Sequence, residues 1–288
     1  MPDACGQITA IYVYPIKSCA GLVLSNSLLG ETGLLHDRQW MIVDEAGQFQ
    51  TQRQIPHLAW VEPVIEHSGL RLSAPGLESI IIPFASTESP KQTVFVWRDV
   101  VVALDMGHVA AQWLDSYLEV PGKHFRLVQF NHEQSRLSDT HWTKGVLAKQ
   151  PFTDGFAINV VSQASLDQFN DRLLERGLDP IDTVRWRPNL VIDGLEPHEE
   201  DAVVTLTIDG HDKSEIELAL VKPCPRCQIP TINPTTAMLE PEINAVLASY
   251  RQIASMDGAL CFGMNGIIKR GIGQRIHVGD RYAAKFGF

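Results

Sequence analysis

The stretch KPCPRCQIPTINP sets two cysteines, Cys224 and Cys227, two residues apart among four prolines that stiffen the backbone around them. Such a pair is open to three chemistries. A structural zinc site needs about four ligands, and no second pair of suitable spacing follows. A thioredoxin-like dithiol would gain from Lys222 and Arg226, whose charges favour the nucleophilic thiolate. That motif opens a helix in a βαβ setting, however, whereas this stretch follows a strand and stays within a turn. A soft thiolate on a stiff turn suits ligation of a transition metal.

Several cations border turns or strand ends: Lys17 in YPIKSC, Arg38 in HDRQW, Arg53 in TQRQ, Arg185 and Arg187 in RWRPN, and Arg226 beside the cysteines. Scattered surface charge accounts for most Lys and Arg in any protein, and spacing alone does not assemble these six. Were they to converge, their charge-assisted hydrogen bonds would suit a phosphate or a polar ring system, and an anionic cofactor becomes the expectation. Asn189 offers both a donor and an acceptor and Ser18 a hydroxyl, although both types also form turns. Asp154 in PFTDGF precedes a strand-like AINVV and is placed to accept a proton or a hydrogen bond, with Asp-Gly also a plain turn signal. The histidines, His36, His57, His108 and His141 among them, show no metal-like spacing. The Gly-rich FGMNGIIKRGIGQRIHVGD lacks the Walker Lys-Ser/Thr and reads as a barrel hairpin with turns.

The elements that must position these residues are mostly strands. ITAIYVYPI, RQWMIVDEAG, LAWVEPVIE, GLRLSA, ESIIIPF, TVFVWRD and VVALDM are short, β-branched or aromatic, and punctuated by Gly, Pro or polar turns. VAAQWLDSYLEV and SQASLDQFNDRLLERG carry helical periodicity, the second with a Ser cap and a Gly stop. RPNLVIDG, AVVTLTIDG and SEIELALVKP read as strands, EINAVLASYRQ as a helix and QRIHVGDRYAAKF as a closing strand. The polar, Pro- and Gly-broken SRLSDTHWTKGVLAKQPFTDG between the halves is expected to be a functional loop. The expectation is a mainly β fold with some α, of the α+β class.

At 288 residues the chain is long enough for two domains. A net charge of -10 and a pI near 5.4 argue against nucleic-acid binding, so any anion site must be local. The N-terminus lacks the features of a signal peptide and no apolar run approaches a membrane span, so a cytoplasmic location is expected. Five cysteines are odd and sparse, which favours reduced thiols.

Taken together, YPIKSC, DRQWMIVDEAG with TQRQ, RWRPNLVIDG, KPCPRCQIPTINP and FGMN…IHVGD resemble the MOSC family in its two-domain form, the architecture of the mitochondrial amidoxime-reducing component and its bacterial relatives. The resemblance spans nearly the whole chain and implies an N-terminal β-barrel-like domain over residues 1–120 and a MOSC β-barrel domain over 121–288. It implies a molybdenum cofactor with Cys227 as the protein's metal ligand, Cys224 being a neighbour. Lys17, Ser18, Arg38, Arg187, Asn189 and Arg226 match positions that hold the pterin and its phosphate, and Asp154 matches an acidic residue near the metal. Pro225 stands where relatives can carry Ser, which removes one side-chain hydrogen bond. The implied activity is reduction of N-hydroxylated small molecules (hydroxylamines, amidoximes, hydroxylaminopurines), the alternative being a carrier of the cofactor or of sulfur. With no iron-sulfur cysteine cluster in the sequence, electrons would come from a separate ferredoxin-like, flavodoxin-like or cytochrome-plus-reductase donor.

Overall fold

β-branched and aromatic residues at alternating positions make strands the dominant regular structure of the chain. The computed structural model describes residues 1–86, 88–210 and 215–287. In chain order its elements are β1 (Ala4–Val13), β2 (Leu22–Leu24), β3 (Asn26–Gly30), β4 (Gly33–Leu34), β5 (Trp40–Asp44), β6 (Glu62–Glu66), β7 (Gly69–Ala74), β8 (Leu77–Ile82), β9 (Lys91–Val96), β10 (Asp99–Asp105) and α1 (His108–Leu118). There follow β11 (Phe125–Phe130), β12 (Ile158–Ser162), α2 (Gln163–Leu174), β13 (Leu190–Ile192), β14 (Val203–Asp209), β15 (Glu215–Pro225), α3 (Glu242–Ala248), β16 (Gln252–Ile253), β17 (Ala259–Arg270), β18 (Arg275–His277) and β19 (Arg281–Phe286). The α+β class, dominated by strands, is as the sequence indicates.

Seven strands close a barrel in the order β12, β13, β1, β19, β14, β15 and β17, with β17 returning to β12. Alternate residues such as Leu206 and Ile208 on β14, Ile216 and Leu218 on β15, and Ile8 on β1 fill its interior. At the closure, Gly263 has φ 70° and a Cβ there would lie 2.6 Å from the Val160 carbonyl oxygen, so only glycine lets β17 approach β12 so closely. The first half forms an open sheet, β5-β11-β10-β9, and a meander, β6-β7-β8, which with α1 enclose a core around Trp40, Leu58, Leu72 and Trp113. α1 buries Ala110, Trp113, Leu114 and Leu118, the helical spacing read from the sequence. α2 is capped by the Ser162 hydroxyl, which accepts from Ser165 N. Among the described residues no helix is long and apolar enough to cross a membrane.

The structure departs from the sequence reading in places with local causes. Leu58–Glu66 begins as a 3-10 turn over Pro56–Trp60 because the proline starts helical geometry, and only then becomes β6. Helix α3 stops at Ala248 instead of Gln252. Arg251 is pinned to Asp201 at 2.6 Å and to the Cys261 carbonyl at 3.0 Å, which pulls Gln252 into pairing with Leu260. The closing strand is two: Gly279, at φ 92°, turns the chain so that β18 joins β3 while β19 joins β1 and β14. The sequence pattern does not indicate β2, β3, β4, β11 or β16. The expected division between residues 120 and 121 is crossed twice, since β1 sits in the barrel and β11 in the open sheet beside β5.

A layer behind the barrel, built on α2 and α3, stacks Trp186 on Phe262 with ring centroids 4.0 Å apart and sets His198 edge-on to Phe262. Among the described residues both His198 ring nitrogens are buried without a partner, and burial, reinforced by the Arg251 and Arg172 charges, pulls its pKa down to about 3. A folded-state value below the unfolded one, about 6.5, means the unfolded chain takes up the proton first as pH falls. Stability should therefore decline between about pH 6.5 and 3. His198→Asn, which tolerates the left-handed backbone at this position, should flatten that decline in urea melts across the window. An unchanged slope would contradict this account.

Candidate functional site

One pocket gathers nearly every residue singled out from the sequence. Its walls include Lys17, Ser18, Arg38, Arg53, Asp154, Arg185, Arg187, Asn189, Lys222, Arg226 and Cys227. Seven of these are cations and one, Asp154, is an acid, in a protein whose net charge is -10. The cavity measures about 210 Å³ and lies where the chain leaves β1, enters β5 and β13, and leaves β15.

The strand that delivers Cys227 is irregular. Opposite β17, β15 slips register between Leu220 and Lys222 and again between Pro223 and Pro225, and neither proline can donate to the ladder. The backbone therefore turns out of the sheet at its end and presents Cys227 exposed to solvent. Its sulfur accepts a 3.4 Å contact from Ile229 N. Cys224 is partly buried, and burial, opposed by Arg226, pushes its thiol up, so it stays protonated at neutral pH.

Arg226 spends its guanidinium on the fold. It donates to the Trp186 carbonyl at 2.6 Å, to the Phe262 carbonyl at 2.9 and 2.5 Å and to Asn159 Oδ1 at 3.1 Å, while its own N–H donates to the Leu260 carbonyl. It is the clamp that holds the cysteine turn. Asn189 is likewise engaged, donating to the Tyr12 carbonyl at 3.2 Å and accepting from Asn159 N at 3.0 Å, so its amide ties three barrel strands together while its surface lines the pocket.

Arg38 and Arg187 stack on one buried ring, with guanidinium carbons 4.3 and 4.1 Å from the Tyr14 centroid. Arg38 is paired to both oxygens of Asp37 at 2.7 Å and donates to the Arg187 carbonyl at 3.0 Å, and Arg187 donates to the Cys19 carbonyl at 2.7 Å. Gly21 covers the ring so closely that a Cβ would sit 2.4 Å from it. Among the described residues Arg187 Nη2 is buried without a partner, and burial together with the Arg38 charge pulls the Arg187 pKa down to about 10. That is the mark of a donor and a positive potential awaiting an anion. Ser18, Arg38 and Arg187 all adopt left-handed backbone, at φ 67°, 46° and 50°, a cost of about 1 kcal/mol or more each for non-glycine residues.

Lys17 is buried and donates to the Phe152 carbonyl at 2.8 Å and to Asp154 Oδ1 at 2.5 Å. Asp154 faces the open pocket. Burial among its neighbours would raise its pKa, but Lys17, a hydrogen bond from Trp97 and the Arg38 charge hold it well below the usual carboxylate range. Asp154 lies on the polar loop that runs from β11 to β12. Sequence reading missed Tyr14, Asp37, Trp97 and the pocket role of Lys222, which lies 4.9 Å over the Trp142 ring. Trp97 had a usable signal: a bulky residue at the turn between two strands, where Gly or Asn is usual.

Residues 5–121 match the family described as the MOSC N-terminal beta barrel domain, and residues 148–283 match the MOSC domain. "Mitochondrial amidoxime reducing component 2" of Rattus norvegicus is 31% identical over 260 residues, covering 85% of this chain and 72% of that protein. The chain belongs to the MOSC family. "Mitochondrial amidoxime-reducing component 1" of Mus musculus is 32% identical to this MOSC protein over 266 residues, covering 88% and 74%. "Molybdenum cofactor sulfurase" of Danio rerio is 28% identical over 89% of the chain and 31% of its own length. The amidoxime-reducing relatives are named as mitochondrial, which overturns the cytoplasmic location expected from the N-terminus.

Two classes of pocket cation follow from these contacts. Arg226→Met should lower stability of this MOSC protein by about 2–4 kcal/mol, because buried carbonyls lose their donors. Arg53 makes one 3.4 Å bond to Thr51 and stacks on Trp97, so Arg53→Met should cost less than about 1 kcal/mol. Chemical denaturation of the two variants checks the contrast, and equal losses would contradict it.

Proposed function

We propose that this protein is a molybdenum-cofactor-dependent oxidoreductase that reduces N-hydroxylated small molecules, such as hydroxylamines, amidoximes and hydroxylaminopurines, to amines. The observation that carries the reading is one exposed thiol, Cys227, at a pocket of seven cations that also leaves a buried arginine donor unpaired among the described residues. Among the described residues no three His, Cys, Asp or Glu side chains gather to hold a bare metal ion. A single soft ligand within a cationic shell fits a metal that arrives with an anionic organic group of its own. The names of the amidoxime-reducing relatives support the substrate class.

Cys227 would ligate the metal, while Lys17, Ser18, Arg38 and Arg187 would hold the organic part, with Arg226 and Asn189 fixing the backbone that presents it. When bound, the cofactor supplies a two-electron redox centre. Conversion of N–OH to N–H and water consumes two electrons and two protons. The electrons come from a separate ferredoxin-like, flavodoxin-like or cytochrome-plus-reductase donor. Asp154, held through Oδ1 by Lys17 and kept ionised by it, stands in the pocket to accept a hydrogen bond from the substrate N–OH and orient it.

The test is amine formation by molybdenum-loaded protein given reduced methyl viologen and benzamidoxime. Cys227→Ser should fall below about 1% of wild type. Asp154→Asn should lose about 100-fold, and Cys224→Ser should keep most of the activity. Loaded wild type that makes no amine would move the assignment to a cofactor or sulfur carrier. Equal loss in both cysteine variants would favour a dithiol.

A further inference from the structure

Trp97 occupies the two-residue turn between β9 and β10 in left-handed backbone, φ 58°, where a bulky side chain is disfavoured. Burial does not explain its presence, because half of its surface, 50%, stays exposed. What the position achieves is to put the indole into the wall of the pocket that contains Cys227. Its Nε1–H donates to Asp154 Oδ1 at 2.9 Å. Lys17 donates to the same oxygen, so Asp154 is fixed through Oδ1 while Oδ2 makes no hydrogen bond within the described residues. The ring itself is braced, with the Arg53 guanidinium 5.0 Å from its centroid and Phe49 5.1 Å away at 59°. A braced, half-exposed aromatic surface next to a carboxylate with one free oxygen is suited to a planar ligand that carries a polar N–OH group.

We propose that Trp97 is the specificity-determining and positioning residue of this site, selecting planar aromatic N-hydroxylated substrates by stacking while its N–H orients Asp154 toward the N–OH oxygen. This inference rests on the reductase reading. A strained Trp at a turn persists where its side chain is needed, and here the side chain contributes a face and a donor in one group.

Two variants separate the roles. Trp97→Gly suits the left-handed backbone and removes the ring, so it is expected to fold and to load molybdenum as wild type does. Trp97→Phe keeps a ring and removes the donor. Each is assayed for reduction of benzamidoxime and of acetamidoxime, its aliphatic counterpart, with molybdenum content and melting temperature recorded in parallel. Trp97→Gly should raise KM for benzamidoxime about tenfold and change KM for acetamidoxime less than about twofold. Trp97→Phe should leave the ratio of the two KM values near wild type and lower kcat for both compounds to a similar extent.

A KM ratio unchanged in Trp97→Gly would overturn the stacking role, and so would an equal rise for both compounds, which is what a merely structural role predicts. Unchanged kcat in Trp97→Phe would overturn the positioning role. Should Trp97→Gly fail to load molybdenum, Trp97→Leu gives the same comparison with the turn side chain retained. No reduction of either compound by loaded wild type would instead remove the reductase reading, and the inference with it.

Discussion

Bringing seven positive charges to one pocket is the constraint on which the rest of this structure depends. Like charges held close in a partly desolvated space repel, and each must be offset before the chain folds. The offsets differ from residue to residue. Asp37 neutralises Arg38, Asp154 pairs with Lys17, Glu240 meets Arg185 at 2.6 Å, and backbone carbonyls absorb Arg226. Tyr14 separates Arg38 and Arg187 with a ring that attracts both. Among the described residues, Arg187 Nη2 stays without a partner, and Arg53 and Lys222 rest their charged ends on the Trp97 and Trp142 rings. The anionic cofactor proposed for this pocket would complete that surplus.

The fold supplies rigid mounts for this arrangement. The closed barrel fixes where β1, β13 and β15 end, and the exchange of β1 and β11 between the two sheet systems ties the pocket walls from both halves into one structure. Phe262 links them further. Its carbonyl takes the Arg226 fork, its ring stacks on Trp186, and its strand closes the barrel near Gly263. Movement of the cysteine turn would thus have to break the Arg226 contacts first.

Much of this was legible in the sequence, and for identifiable reasons. Strand-forming alternation and the Ser162 cap are local signals, so the α+β class and helices α1 and α2 follow from them. Lys17, Arg38, Arg187, Arg226, Asp154 and Cys227 were marked by residue type at turns, but their meeting in one pocket is a long-range fact, with Lys17 and Asp154 137 residues apart in sequence. Spacing cannot show such convergence. Nor could it show that Asn189 and Arg226 direct their polar groups into the fold, or that β11 joins β5 across the expected domain division. Tyr14 escaped notice because a tyrosine inside a strand-like run reads as ordinary core, and only the two guanidinium groups beside it reveal its part.

The central claim is that Cys227 is the protein's ligand to molybdenum within this cationic shell. The most direct measurement is molybdenum content, with zinc and iron alongside, of wild type and Cys227→Ser purified from a host that overproduces the cofactor. The account predicts near-stoichiometric molybdenum in wild type and its loss from Cys227→Ser after gel filtration. Molybdenum absent from both proteins, or retained equally by both, would contradict it.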